Sequence, residues 1–480
     1  MHILLGILGV IAGVICVLLI KTAMIKPTLA KTIKMELDQT ERADEYGERL
    51  ARMVRHETIS CRNQEDRTKF YEFHKLLEEL FPNVHRVCEK EVFNGSLLFK
   101  WSGKGQGEPV LLMSHQDVVE ATGVWKHEPF GGEIDAEGRI WGRGTVDTKA
   151  SLFCIFTALE ELILEGYVPE CDIYIGSSCT EEWGGEGAPA TVAYLKEKGV
   201  RLGLVLDEGG MVVQNPMAGV TGTYAMMGIV EKGYGDVKFI ARSNGGHASA
   251  PGKNTPLVRL GKFMAEVDKK APFKVEMSPV VEELLSRMAP NCDFGMRLLF
   301  SNVKLFKPLL LKVMPAVSPV AGAMLHTTMA FTMAQGSNGA NVLPQEASVV
   351  ANMRFIQHQP NEESIELVRR IAQKYDVETE VIFQEPPHPA VDFNGKAFKL
   401  VESVVHEVFP GVDPCPYVMT GGTDAKYYSE ICDNCIRFAP LIITPEQQAS
   451  VHGLNENIFK GALPKGVDFY KMIITRSIQY

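Results

Sequence analysis

Three apolar runs, each delivering a metal-type side chain at its end, predict an α/β fold with a mixed, mostly parallel sheet flanked by helices. Val110-Leu111-Leu112-Met113 ends at Ser114-His115, Asp172-Ile173-Tyr174-Ile175-Gly176 precedes Glu181, and Leu204-Val205-Leu206 ends at Asp207. Short continuous apolar runs of this kind read as strands buried on both faces. Their C-terminal ends are where open α/β sheets carry their sites. From Lys149 to Leu164, apolar positions recur at three- and four-residue spacing, so a helix is expected there with Asp147 at its start.

The rest of the chain divides around a long insertion. Residues 36–217 and 385–480 are expected to form the main α/β domain. Residues 218–384 are expected to form a smaller inserted α+β domain, since Val237-Lys238-Phe239-Ile240 reads as a strand and Glu363 to Tyr375 as a helix. From Phe294 to Gln345 there is no Asp or Glu, while Arg297, Lys304, Lys307 and Lys312 punctuate an apolar run. That pattern reads as a basic amphipathic surface for a bilayer or an acyl chain, or as helices packed on the inserted domain or a second subunit. Pro308, Pro315 and Pro319 are expected to break any long helix there.

His115, Asp147, Glu182, Asp207 and His452, with Asp117 and Glu181 beside two of them, spell out a two-metal hydrolase site. Two divalent cations held close together need one shared carboxylate, one His and one carboxylate each, and an open position for water. The acidified water also needs a base that is not itself a ligand, and of the adjacent Glu181 and Glu182 one can do each job. A ligating His wants its second ring nitrogen held by a carboxylate, and Asp117 is placed to do that for His115. Taken singly, an H-x-D triplet arises by chance and a Glu-Glu pair is usually a solvated helix face. Their shared place at strand ends is what argues for a site.

Ser114-His115-Gln116-Asp117-Val118-Val119, the block Trp141 to Lys149, and Thr180-Glu181-Glu182 resemble the di-zinc metallopeptidases that include aminoacylase, succinyl-diaminopimelate desuccinylase and carboxypeptidase S. Trp125, Pro129-Phe130 and Ser450 to Glu456 are most similar to the carboxypeptidase S branch, which also holds N-fatty-acyl-amino-acid hydrolases. The resemblance implies two zinc ions per subunit, one on His115 and Asp207, the other on Glu182 and His452, with Asp147 bridging. It further implies Glu181 as general base, Asp117 behind His115, and a cis peptide at Asp147-Thr148. The inserted domain becomes a lid of one sheet and two helices that also mediates dimerisation. In it, His247 of Asn244 to Ser249 would hydrogen-bond the oxyanion, in dimeric relatives from a partner subunit. Although a lone His or a Gly-rich turn is more often structural, Asn341, Arg354, Gly422 and Thr423 match blocks that suggest a clamp for a substrate carboxylate, a task suited to the planar Arg fork.

The expected activity is therefore hydrolysis of the amide bond next to a free C-terminal carboxylate, as a carboxypeptidase on small peptides. The alternatives are an N-acyl-amino-acid amidohydrolase, possibly fatty-acyl, and a non-catalytic membrane-tethered binding protein, which would be expected to have lost Glu181 or a ligand. A net charge of −10 without a basic patch argues against nucleic acid. Absence of G-x-S-x-G and of H-E-x-x-H argues against two other hydrolase classes. The uncharged run Ile3 to Ile20 rises about 27 Å as a helix, which predicts a single membrane anchor over residues 1–22. A signal peptide cleaved near Thr28-Leu29-Ala30 is the rival reading. Lys21, Lys26, Lys31 and Lys34 follow the run and point the enzyme to the cytoplasm, whereas secreted and lumenal relatives point the other way. The 10 Cys show no disulfide spacing, and Cys432-Asp433-Asn434-Cys435 reads as incidental.

Overall fold

The computed structural model of the chain describes residues 2–32 and 36–477, without the side chains of 2–9 and 11. A ten-stranded mixed sheet forms the main body. At its centre Val110–Met113 lies parallel to both Ile173–Ser177 and Leu204–Asp207. Cys435–Arg437 runs parallel on the far side of Leu204–Asp207. Side chains alternate cleanly between the faces, as a pleated strand requires. Val110, Leu112, Ile173, Ile175, Leu204 and Leu206 enter one core with the helices Glu41–Val54, Ala150–Leu164 and Leu463–Arg476. Leu111, Met113, Tyr174 and Val205 enter a second core with the helices Gly187–Glu197 and Ala425–Tyr428. Both faces are thus covered, which is why these strands read as unbroken apolar runs. At one edge, Asn94-Gly95, both at positive φ, closes a tight hairpin between Glu89–Phe93 and Ser96–Trp101.

The inserted domain is a four-stranded antiparallel sheet in the order Thr328–Gln335, Glu346–Phe355, Gly233–Arg242, Glu378–Glu385. The helices Pro256–Lys269 and Asn361–Gln373 share its core. Its limits differ from the expected 218–384. Thr223–Glu231 belongs to the main sheet, paired with Asp413–Met419, so the excursion starts at Gly233. Val280, Leu284, Phe300, Leu310 and Met314 also pack into the main core rather than into the lid.

Two further expectations are corrected here. The helix Val303–Val317 runs through Pro308 and Pro315 without ending. Pro308 and Lys304 both lie on its exposed face, where the carbonyl that Pro308 leaves unpaired is free to take water. Secondly, no helix among the described residues is long and apolar enough to cross a membrane, so the expected anchor, its membrane partner and its orientation are not upheld. The terminal run does form a helix, His2–Met24, but its end is committed to the protein. Thr22 is fully buried, Arg297 donates to the Ile25 carbonyl, and Thr28 bonds Asn291 and Asp413. Lys34 lies outside the described residues.

Candidate active site

The three central strands release their chains at one sheet edge, and the site is assembled there. His115 follows Val110–Met113 by two residues and is almost fully buried. Its Nδ1 faces the Asp117 carbonyl at 2.9 Å and the Asp117 carboxylate at 3.4 Å, which leaves Nε2 pointing into the site. Asp117 is itself fixed by the Ser60 hydroxyl and by the backbone N–H groups of Glu181 (3.3 Å) and Glu182 (3.2 Å). One buried carboxylate thereby locks the imidazole and the Glu181–Trp183 turn in a common frame.

Asp147 divides its two oxygens between the two histidines. Oδ1 is 3.0 Å from His115 Nε2 and Oδ2 is 2.9 Å from His452 Nε2. His452 Nε2 also lies 3.1 Å from Glu182 Oε2. His452 adopts φ 57°, a left-handed conformation uncommon for a residue with Cβ, in the turn that delivers its ring. The peptide Asp147-Thr148 is cis, as expected. The loop carrying it is held by Glu456, whose buried carboxylate accepts from Arg143 Nη1 (2.6 Å) and from the backbone N–H groups of Gly144 (3.0 Å), Val146 (2.8 Å) and Asp147 (3.1 Å).

Asp207 stands apart from the expected donor set. Its oxygens accept the backbone N–H of Glu208 at 2.9 Å and of Ala425 at 2.8 Å. Two groups of possible metal donors come within 4.8 Å of one another: His115 with Asp147 and Glu182, and His115 with Glu181 and Glu208. Neither group includes Asp207, and strand alternation accounts for the way it points. Asp207 follows Val205 onto the face covered by the Ala425–Tyr428 helix, where a helix-start N–H is waiting, and the next residue turns back towards His115.

The electrostatics fit a cation-binding pocket. Burial pushes the carboxyls of Glu181 and Glu208 well above the usual range, and neighbouring acids push in the same direction against the pull of His115. Burial, with Asp207 and Asp117 nearby, raises Asp424 to about 8. Hydrogen bonds to Asp147 and Glu182 lift His452 to about 10. So many acids converge on two imidazoles that divalent cations are the natural counter-charge. The Asp147 geometry, one oxygen toward each His, suits a carboxylate bridging two of them.

The lid residues separate into two groups. A Cβ built on Gly422 would lie 3.8 Å from Arg354 Nη1, so the structure brings those two together. Arg354 also covers the Tyr234 ring at 4.6 Å. Thr423 is otherwise engaged, its N–H and hydroxyl both donating to Glu231 at 3.1 and 3.0 Å. His247 and Asn341 sit at an exposed ribbon formed by Gly246–His247 and Val342–Leu343. The His247 ring meets Ser249 Oγ at 2.7 Å. Neither has a hydrogen bond or ion pair to the metal donors among the described residues. Glu208, Glu456 and Glu231 were not singled out from sequence. Glu208 had a visible signal, since Asp207-Glu208 repeats the adjacent-acid pattern of Glu181-Glu182, and Glu456 closes the block Ser450 to Glu456 that carries the resemblance; Glu231 had none.

The fold and site define a hydrolase with a cluster of carboxylate and imidazole donors fit for two metal ions. The model for peptidase family M20/M25/M40 matches residues 111–476. The chain is 30% identical over 451 residues to "Probable carboxypeptidase S-like 2" of Dictyostelium discoideum, covering 91% of this chain and 86% of that protein. It is also 30% identical over 475 residues to the N-fatty-acyl-amino acid synthase/hydrolase PM20D1 of Xenopus tropicalis, covering 96% and 92%. In fold it is similar to an M20 family metallo-carboxypeptidase from Sulfolobus solfataricus, with a TM-score of 0.68, 16% identity and coverage of 90% and 99%. A dinuclear metal binding M20 peptidase of Bacillus subtilis matches with a TM-score of 0.56, 13% identity and coverage of 91% and 99%. The chain belongs to peptidase family M20/M25/M40 and is a hydrolase acting on C–N bonds.

Proposed function

We propose that the protein is a zinc-dependent carboxypeptidase of small peptides, cleaving the amide bond next to a free C-terminal carboxylate. One observation carries the reading. Arg354 meets Gly422 on the loop whose continuation, Ala425, donates to Asp207, the chain neighbour of Glu208, so a guanidinium able to take a carboxylate stands against a loop tied to the strand end that carries Glu208. His115, Asp147, Glu182 and His452 would hold two zinc ions, with Glu208 in the place expected of Asp207. When bound, the ions would polarise the scissile carbonyl and acidify the attacking water. Glu181, buried and raised in pKa by burial and nearby acids, takes the proton from water and returns it to the leaving amine. His247 serves as oxyanion donor, delivered from the lid of a second subunit as in the dimeric relatives, since among the described residues it has no hydrogen bond to the cluster of its own chain. Asp117 keeps His115 in the tautomer that offers Nε2.

The similarity to N-fatty-acyl-amino acid hydrolases supports a second reading, release of an acyl group from an amino acid. Both substrates end in the same carboxylate. Purified protein assayed with zinc on dipeptides and on short- and long-chain N-acyl amino acids decides between them, and faster turnover of dipeptides is expected. Inactivity on both panels with metal bound would overturn both readings.

The ligand assignment has its own test. Glu208→Gln is expected to bind close to one zinc fewer per subunit by elemental analysis, whereas Asp207→Asn retains both and loses chiefly thermal stability. The reverse pattern would return Asp207 to the donor set.

A further inference from the structure

Glu231 is the last residue of the main-sheet strand Thr223–Glu231, two positions before the lid strand begins at Gly233. It is 1% exposed and belongs to neither metal donor group. Its carboxylate accepts from the Thr423 N–H (3.1 Å), the Thr423 hydroxyl (3.0 Å) and Arg437 Nε (3.1 Å). Arg437 is equally buried, and its Nη2 has no hydrogen-bond partner among the described residues. A Cβ on Gly422 would stand 3.4 Å from Glu231 Oε1 and 3.8 Å from Arg354 Nη1, so the exposed Gly421-Gly422 turn rests on Glu231 and faces Arg354.

The main chain at the same point is tied to the lid. The Glu231 carbonyl accepts from Gln357 Nε2 at 2.9 Å. Lys232 donates to the carbonyls of Ala323 (3.0 Å) and His326 (2.9 Å) and to Thr328 Oγ1 (3.2 Å). A Cβ at Gly233 would clash with the Glu385 carbonyl and Pro387 N, so both crossings between the domains press together here. Buried charge is costly unless it is paired and hydrogen-bonded, as Glu231 is here.

We infer that Glu231 is a positioning residue for substrate recognition: its carboxylate sets the Gly421-Gly422 turn beneath Arg354 and ties that setting to the lid hinge. The inference rests on the reading of Arg354 and this turn as the substrate-carboxylate site. Lid and turn then form one pocket of fixed width only while Glu231 holds the root of the turn.

The test uses the full zinc-loaded protein, with the best substrate from the panels and its C-terminal amide. Glu231→Gln should raise KM for the free-carboxylate substrate about tenfold with kcat nearly unchanged, the size expected for losing a charge-assisted hydrogen-bond set. Kinetics on the amide should be unaffected. Since Glu231→Gln leaves Arg437 buried without its counter-ion, the pair Glu231→Leu with Arg437→Met removes both charges and should show the same selective rise. Equal losses on carboxylate and amide, or a KM unchanged in both variants, would overturn the inference. A wild type indifferent to the terminal carboxylate would overturn the underlying pocket reading, and the inference with it.

Discussion

Glu181→Gln is expected to keep both metal ions and to lower kcat by about 10³-fold, the range typical of losing a general base. The amide preserves size and can still accept a hydrogen bond, but it cannot take the water's proton. The backbone ties of this turn run from the N–H groups of Glu181 and Glu182 to Asp117, so the side-chain change leaves them intact. His115 therefore stays oriented and Glu182 still faces His452. Metal content by elemental analysis and kcat on the best substrate check this together. Wild-type turnover in a metal-loaded variant would remove Glu181 from the role.

Glu456→Ala is expected to destabilise the fold by about 3–5 kcal/mol, the usual result of stripping one partner from a buried ion pair. Arg143 would be left buried without its carboxylate, and the N–H groups of Gly144, Val146 and Asp147 would lose their acceptor together. Metal affinity should fall with stability, because Asp147 is presented by that loop. Thermal unfolding with and without added zinc measures both. A change below about 1 kcal/mol would mean that solvent or another side chain substitutes for Glu456.

Why some of this was readable from the chain and some was not follows from distance along the sequence. His115, Asp147 and Glu182 could be picked out because each lies in a local block at a strand end or a helix start, and His452 because it lies in the block Ser450 to Glu456 that carries the family resemblance; local patterns survive in one dimension. Asp207 and Glu208 could not be separated that way. Which way each points depends on the amide of Ala425, supplied from a distant part of the chain, and on strand alternation at a single residue. Glu231 is one acid among 59, marked only by Thr423 and Arg437 arriving from far downstream. In the lid, one strand and one helix followed from periodicity and the sheet with two helices from the family resemblance, but the helices between residues 279 and 323 joined the main core because tertiary packing, not chain order, decided their partner. The N-terminal run misled for a related reason. Hydropathy sees an apolar helix, but it does not see Thr22 and Thr28 docked on the protein body.

The Glu456 carboxylate sits more than three hundred residues after the loop that it holds, and His452 arrives with it. A ribosome making this protein will have finished the main strands and the whole lid before either residue leaves the exit tunnel. Until they do, the nascent chain carries an Asp147 with neither its loop nor its second histidine in place. Residues 452–456 work as a latch, so the donor cluster closes only after the chain has grown more than three hundred residues past Asp147.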